Sequence, residues 1–341
     1  MKKLLIGLAS YNDLDFLKKS LQDAVCLAEN LLQECRMDFS VKIVVLDNAW
    51  DNGVRDFVEN LGKETGKEVP VLYMRHAEGN LGYGRAYNEI LRTHDGYDFF
   101  LVLTSDVLLE PKVCAKFLRR MQKDPEITMC GGKLYHLEGC KKTSRIDSLG
   151  IFAEKRHHFY DLGHGEVDSG QHDKEMSTAL GVSGAAFLFR VDKIHLLHGD
   201  SATLFDERMW MYKEDIDLAY RLRWLKEKIV IFPEVWGYHA RSVSNKEGNG
   251  VRGLLSADKG KKDYGRAHSY KNHFLLLKNN FSWKFGVGIC ARVLVYEILK
   301  GIYMLCTHPE VFFAGLKTLL FVKGKSSLRR ASPKEMLKFF H

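Results

Sequence analysis

The chain has 341 residues, 45% hydrophobic and 28% charged, with a formal net charge of +8. That composition excludes a fibrous repeat or a mostly disordered polymer and allows one large domain or two ordinary ones, each with a proper core. The modest positive excess suits an anionic substrate, an anionic lipid surface or nucleic acid, and chooses among them only by where it lies.

The opening "MKKLLIGLAS" imitates a signal peptide, but its apolar run is short and "YNDLDF" follows in place of a cleavage pattern. It reads as a first buried strand. "LDFLKKSLQDAVCLAENLLQEC" has helical periodicity, with Leu17, Leu21, Val25, Ala28 and Leu32 at steps of three and four. "VKIVVLDN" is a second strand, "VRDFVENLGKETG" a helix and "VPVLYMRH" a third strand. "GYGRAYNEILRTH" is a helix with glycines at its mouth, and "YDFFLVLTSD" a fourth strand. Apolar strands alternating with amphipathic helices predict a mainly parallel sheet covered on both faces. Ligands then bind beyond the carboxyl ends of the strands. Polar residues fall at those ends: Ser10, Tyr11 and Asn12; Asp47 and Asn48; Asn80; Ser105 and Asp106.

Residues 130–180 are less regular. "RHHFYDLGHGEVDSGQHD" holds His157, His158 and His164, read as a solvated loop with a metal as the alternative, since no helix brings two of them to one face. "GVSGAAFLFR" suits close backbone approach. In "MYKEDIDLAYRLR", Glu214, Asp215 and Asp217 crowd the start of a half-buried helix. The helix dipole favours acids there by about 0.3–1 kcal/mol each, and Asp217 has Arg221 as an i,i+4 partner. That explains Asp217. Glu214 and Asp215 sit among Trp210, Met211, Tyr212, Ile216 and Leu218, where a bare carboxylate is expensive; either a structural partner or chemistry must retain them. "KIVIFPEVWGYH" is a strand ending at His239.

The seven cysteines are odd in number and form no C-x-x-C pair, so neither a zinc knuckle nor a redox motif is present, and a reduced, cytosolic compartment is expected. After about residue 260 come amphipathic, aromatic segments. "WKFGVGICARVLVYEILKGIYMLC" is interrupted by Arg292, Glu297 and Lys300, which share one side of a helix, so it lacks the uninterrupted apolar span of about 20 residues that crosses a bilayer. The tail is basic, with Leu328, Leu337, Phe339 and Phe340 interleaved, a pattern suited to a lipid surface and not distinctive of nucleic acid binding.

"GLASYND", "VVLDNAWDNG", "EGNLGYGRAYNEIL", "FFLVLTSDVLLEP", "GVSGAAFLFR" and "FDERMWMYKEDIDLAYRLRWLKEKIVIFPEVWGYH" occur in the order of family 2 glycosyltransferases. Over residues 3 to 245 the chain most resembles the rhamnosyltransferase-like branch that builds bacterial surface polysaccharides. The resemblance implies an α/β GT-A fold with a mainly parallel central sheet. The catalytic domain then spans 1–255, with a nucleotide-sugar half to about residue 110 and an acceptor half over 111–255. Residues 256–341 follow as a basic, amphipathic helical extension that associates with membrane or dimerises.

It further implies an inverting transfer from a nucleoside diphosphate sugar, dTDP- or UDP-linked, to a glycan or lipid-linked glycan at the cytoplasmic face of the cell membrane. Ser10, Tyr11, Asn12 and Asp47 would hold the nucleoside, with Asn80, Gly82, Arg85, Asn88 and Ser105 near the donor. "TSD" occupies the place of the family's D-x-D, with Thr104 where the first acid often stands. Asp106 and His239 would then bind Mg²⁺ or Mn²⁺, hard cations that bridge phosphate oxygens. "ED" matches the acidic pair on the acceptor side, so Asp215, with Glu214 as its alternate, would be the general base, a role worth roughly 10²–10⁴-fold. Two other readings stay open: a sugar nucleotidyltransferase, whose lysine-bearing glycine loop is missing after the first strand, and a non-catalytic nucleotide- or glycan-binding protein on a decayed transferase fold.

Overall fold

The computed structural model describes residues 1–34, 39–139, 141–198, 203–240, 263–325 and 328–341. The boundary expected between residues 255 and 256 lies outside these residues. β1 (Lys2–Ser10), β2 (Phe39–Asp47), β3 (Val71–Met74) and β4 (Phe99–Thr104) pair in parallel in the order β3-β2-β1-β4. The sheet continues through antiparallel β10 (Ala186–Arg190) to β6 (Ile127–Glu138), β11 (Lys228–His239) and β5 (Val107–Leu109), and β7 (Lys141–Ser148) pairs with β6. β8 (Ile151–Ala153) and β9 (Phe159–Asp161) form a separate hairpin.

Strand alternation divides the core in two. Leu4, Ile6 and Leu8 of β1 join α1 (Leu14–Glu34), α2 (Asn52–Thr65) and α4 (Pro111–Lys123) on one face. Leu5, Val44 and Leu46 join α3 (Gly82–Thr93) and α6 (Glu214–Trp224) on the other; a short α5 (His195–His198) lies between them in sequence. Burying both faces requires the near-continuous apolar runs seen in β1, β2 and β4. α6 is buried all round rather than half-buried, so its Asp217–Arg221 ion pair (2.7 Å) is internal. Removing one partner there costs about 3–5 kcal/mol, far more than an exposed i,i+4 pair contributes.

Strands β6 and β7 run where the sequence reads as irregular. The histidine-rich segment also departs from a solvated loop. His157 is fully buried, its Nε2 lies 2.9 Å from the Tyr220 hydroxyl, and its ring stacks on Phe340. Burial lowers its pKa to about 3, so it is a neutral core residue.

The C-terminal helices are α7 (Asp263–Asn280), α8 (Val287–Thr307) and α9 (Pro309–Phe321). α7 packs on α6: Asn279 and Asn280 donate to Asp217 Oδ1 at 3.1 and 2.7 Å, and the Trp224 indole donates to the Asn280 carbonyl. The tail returns to α6. Arg330 and Ala331 N–H donate to the Trp224 carbonyl, and Met336 and Phe340 are buried in the α6 face. Leu337 and Phe339 are half-buried against that core. Of the tail residues expected at a lipid surface, Leu328 alone stands largely exposed, because the other three complete this hydrophobic cluster.

α8 turns Glu297 and Lys300 inward, whereas Arg292, expected on the same side, is exposed. Glu297 accepts from His273 Nε2 of α7 at 2.6 Å, and Lys300 is buried beside it. Leu294, Val295, Ile298, Leu299, Ile302 and Leu305 are exposed. Among the described residues no helix is long and apolar enough to cross a membrane.

Candidate active site

The carboxyl ends of β1, β2 and β4 meet at one rim. Asp13 ties two of them together: its Oδ1 accepts from Ser10 Oγ (2.6 Å) and Tyr11 N–H (3.2 Å), and Ser105 Oγ donates to its Oδ2. Tyr11 is exposed beside it, and Asn12 has a left-handed backbone (φ 55°). Asp47 is fully buried and accepts from the N–H groups of Ala49, Trp50 and Asp51 and from the Tyr73 hydroxyl, at 2.7–3.1 Å. Four donors fill a carboxylate's four acceptor sites. Asp47 thus shapes the turn after β2, and pairing with a pyrimidine N3–H would require it to release one of them.

The α3 mouth is locked to the loop before α6. Tyr83 N–H donates to the Trp210 carbonyl (2.9 Å), and Gly82 N–H to Asn80 Oδ1 (2.8 Å). Gly82 has φ 73°, and a Cβ there would stand 2.1 Å from the Trp210 carbonyl oxygen, so both backbone angle and space demand glycine. Asn48 bridges in the same way, accepting from Leu81 N–H and donating to the Gly82 carbonyl. Arg85 pairs with Glu78 at 2.8 Å on the surface. Asn88 is fully buried and fastens the 204–207 loop, accepting from Leu204 and Phe205 N–H and donating to the Phe205 carbonyl and Glu207. Its amide is occupied in scaffolding rather than turned toward a donor.

Asp106 follows β4, and His239 ends β11. His239 Nε2 lies 3.3 Å from Asp106 Oδ2, and its Nδ1 lies 2.8 Å from Asp147 Oδ2. Burial would lower the His239 pKa, but the two carboxylates outweigh it and raise it to about 10. Burial would likewise raise the Asp106 carboxyl, but the His239 charge and hydrogen bond hold it below the usual range. The donor set fits a hard divalent cation. Adjacent ligands on an octahedral ion at about 2.1 Å lie roughly 3 Å apart, close to the Asp106–His239 separation, and a carboxylate on the far imidazole nitrogen is the usual support of a ligating histidine. Thr104, where the family often has its first acid, donates its hydroxyl to the Ala185 carbonyl (3.1 Å).

Asp215 stands across Ala185 from Thr104. Its Oδ2 accepts from Gly184 N–H (3.2 Å) and its Oδ1 from Ile216 N–H (2.8 Å). A Cβ on Gly184 would come within 2.9 Å of Oδ2, so glycine permits the approach. Glu214 is buried, and its Oε2 has no hydrogen-bond partner among the described residues. Burial raises the pKa of both; the Asp215 charge adds to the rise at Glu214, which lies well above the ordinary range.

Tyr83 joins the halves of the rim. Its hydroxyl donates to the Gly184 carbonyl, and the charges of Glu214, Asp215 and Asp106 all act on it. Tyr212 and Lys213, just before the acids, both have positive φ (70° and 73°). Such backbone costs of order 1–3 kcal/mol per residue and persists where its surroundings over-determine it. Asn272 of α7 does so, donating to the Met211 and Tyr212 carbonyls at 2.8 Å each. Asp13, Tyr83, Asp147 and Asn272 escape a reading of the sequence. Tyr83 lies inside a quoted motif, but nothing in the chain order marks Asp147 or Asn272 as neighbours of His239 and Glu214.

A mostly parallel central sheet with helices on both faces defines a GT-A nucleotide-diphospho-sugar transferase fold. The chain belongs to glycosyl transferase family 2, whose family model matches residues 6–180, just over half of its length. Among solved structures it is similar to GalNAc-T7 with UDP, GalNAc and Mn²⁺, at 11% identity and a TM-score of 0.57, over 82% of this chain and 48% of that one. The chain therefore spans about half the length of that protein. It is also similar to S. aureus TarS residues 1–349, at 13% identity and a TM-score of 0.52, over 94% of this chain and 80% of that one. At these identities the likeness is one of fold.

Proposed function

We propose that this glycosyltransferase is inverting and moves a sugar, rhamnose in the reading its motifs favour, from a pyrimidine nucleoside diphosphate to a hydroxyl of a glycan or lipid-linked glycan in bacterial surface polysaccharide synthesis. The observation that carries the proposal is the convergence of Asp106–His239 and Glu214–Asp215 on either side of Gly184, Ala185 and Tyr83. GalNAc-T7, of the same fold, was crystallised with UDP and Mn²⁺, which supports a uridine- or thymidine-type donor and a divalent cation. Asp106 and His239 would hold Mg²⁺ or Mn²⁺, and the bound ion supplies positive charge to the departing diphosphate. His239 must give up its proton to ligate.

Of two adjacent buried carboxyls, the one with the more strongly raised pKa keeps the proton. Glu214 is the more strongly raised of the two, and Asp215 is aimed by two N–H groups. Asp215 takes the proton from the acceptor hydroxyl. The acceptor oxygen forms its bond to the anomeric carbon as the bond to the phosphate oxygen breaks on the opposite face, and the nucleoside diphosphate leaves with the electron pair. One base suffices, and no covalent intermediate is needed. Release of nucleoside diphosphate across a panel of nucleotide sugars tests the assignment. Turnover with a dTDP- or UDP-sugar supports it, and binding without any release returns the chain to the non-catalytic reading.

The acceptor's lipid is supported by α8. A helix normally turns its apolar stripe to the core; α8 exposes it, and Phe313, Leu320 and Phe321 of α9, which packs on α8, are exposed as well. Lys284, Arg292, Lys317 and Lys323 are exposed on the same two helices and their flanks. An apolar face edged with cations is complementary to an anionic lipid surface. Docking there holds the enzyme beside a lipid-linked acceptor at the inner face of the membrane and raises its effective concentration.

A further inference from the structure

Behind His239 lies a second group of ligand-type side chains, of which the front site uses only Asp147. His136 on β6 is the register partner of His239 on β11. Asp147 on β7 is fully buried, and His164 follows β9. One donor atom from each of His136, Asp147 and His164 lies within 4.8 Å of the other two. Asp147 Oδ1 is 3.5 Å from His136 Nδ1 and 3.7 Å from His164 Nδ1. Donor atoms around a tetrahedral Zn²⁺ at about 2.0–2.1 Å lie roughly 3.3 Å apart, so two of the three separations are within a few tenths of an ångström of that spacing. The His136 side chain is 18% exposed and the His164 side chain 9%, against 0% for Asp147, which leaves a path from solvent along the imidazoles.

We propose that His136, Asp147 and His164 bind a second divalent cation, of the zinc class, distinct from the cation held by Asp106 and His239. Two imidazoles and one carboxylate with an open fourth position favour a late first-row metal over Mg²⁺, which prefers oxygen and keeps its water. Entry displaces the hydrogen bond between His164 Nδ1 and the Asp147 carbonyl (2.8 Å), and that carbonyl oxygen then stands within reach of the same ion. Asp147 links the two centres. Its Oδ1 faces this group, while its Oδ2 orients His239. Occupancy of the rear site therefore fixes the carboxylate that aims the catalytic imidazole, making Asp147 a positioning residue shared by both.

The test uses Zn²⁺ alone, without nucleotide or donor, so its outcome is independent of the transferase reading. Asp106→Ala removes a ligand of the front site and leaves the rear group complete. Titration of this variant is expected to give one Zn²⁺ per chain, and Co²⁺ in its place a visible absorption band. Adding His136→Ala or His164→Ala should weaken binding roughly 100-fold or more and abolish the band, with circular dichroism reporting the fold. His164→Asn retains a side-chain donor for the Asp147 carbonyl and serves if the alanine variant unfolds. The proposal is overturned if Asp106→Ala binds Zn²⁺ only at millimolar concentration, or if the histidine variants bind it as tightly as their parent.

Discussion

The parallel sheet and the α8–α9 pair solve opposite packing problems. In the sheet, Leu5, Val44 and Leu46 point inward and acids gather only at the rim, where Asp106 and Asp215 are held by named partners. In α8 the acid and the base, Glu297 and Lys300, face the protein, and Ile298, Leu299 and Ile302 face out. Burial of apolar area explains the first arrangement at about 25 cal/mol per Å². The second runs against it: Glu297 and Lys300 are paired inside with His273, and the apolar face is left outward.

The sharpest break of that contrast is at the rim. Asp215→Asn is expected to lower kcat roughly 10²–10⁴-fold while leaving donor affinity nearly unchanged, because the amide keeps the shape and loses the base. In the parent enzyme the acid limb of kcat should lie above the ordinary carboxylate range, since burial raises the Asp215 pKa. A variant with normal turnover would remove Asp215 from the chemistry.

On the docking face, the intact chain is expected to float with anionic vesicles at low salt and to be partly released as salt rises. Ile298→Glu with Ile302→Glu should leave the fold intact, because both side chains are exposed, and reduce flotation roughly tenfold or more. If the intact chain ignores the vesicles and sediments as a dimer, the face is an interface between copies.

The smallest effect is on stability. The buried Glu214 carboxyl has a raised pKa in the folded chain. The folded state then keeps a proton that the unfolded state releases, so stability falls as pH climbs from the ordinary Glu value toward the folded one. Glu214→Gln cannot titrate and should be more stable than the parent at neutral pH. The gain should vanish near pH 4 and below, where both states are protonated; thermal unfolding at the two pH values reads it.

The part of the chain through β4 is legible in the sequence because its strands are buried on both faces and its helices are periodic. β1 to β4 follow from apolar runs alone, and the polar residues at their ends mark the rim. β6 and β7 were not legible, because "ITMCGGKLYHLE" mixes glycines, charge and aromatics, and its register with β11 is broken by irregular pairing. Asp106, His239 and the acidic pair were nameable from motif order. Asp47 and Asn88 were named too, but the structure commits their polar atoms to turn and loop scaffolding. A motif identifies which residues matter without separating ligand contact from support. Asp147 and Asn272 emerge only when β7 and α7 are folded against their partners, since no local pattern encodes a contact across 60 or more residues.

The most direct test of the central claim, one displacement driven by one base opposite the phosphate rim, is the configuration of the product. Proton NMR of the glycoside formed from an anomerically defined dTDP- or UDP-sugar is expected to show the opposite anomeric configuration to that of the donor. Retention of the donor's configuration would contradict the account, because it requires a second displacement or a same-face attack that Asp215 alone cannot supply.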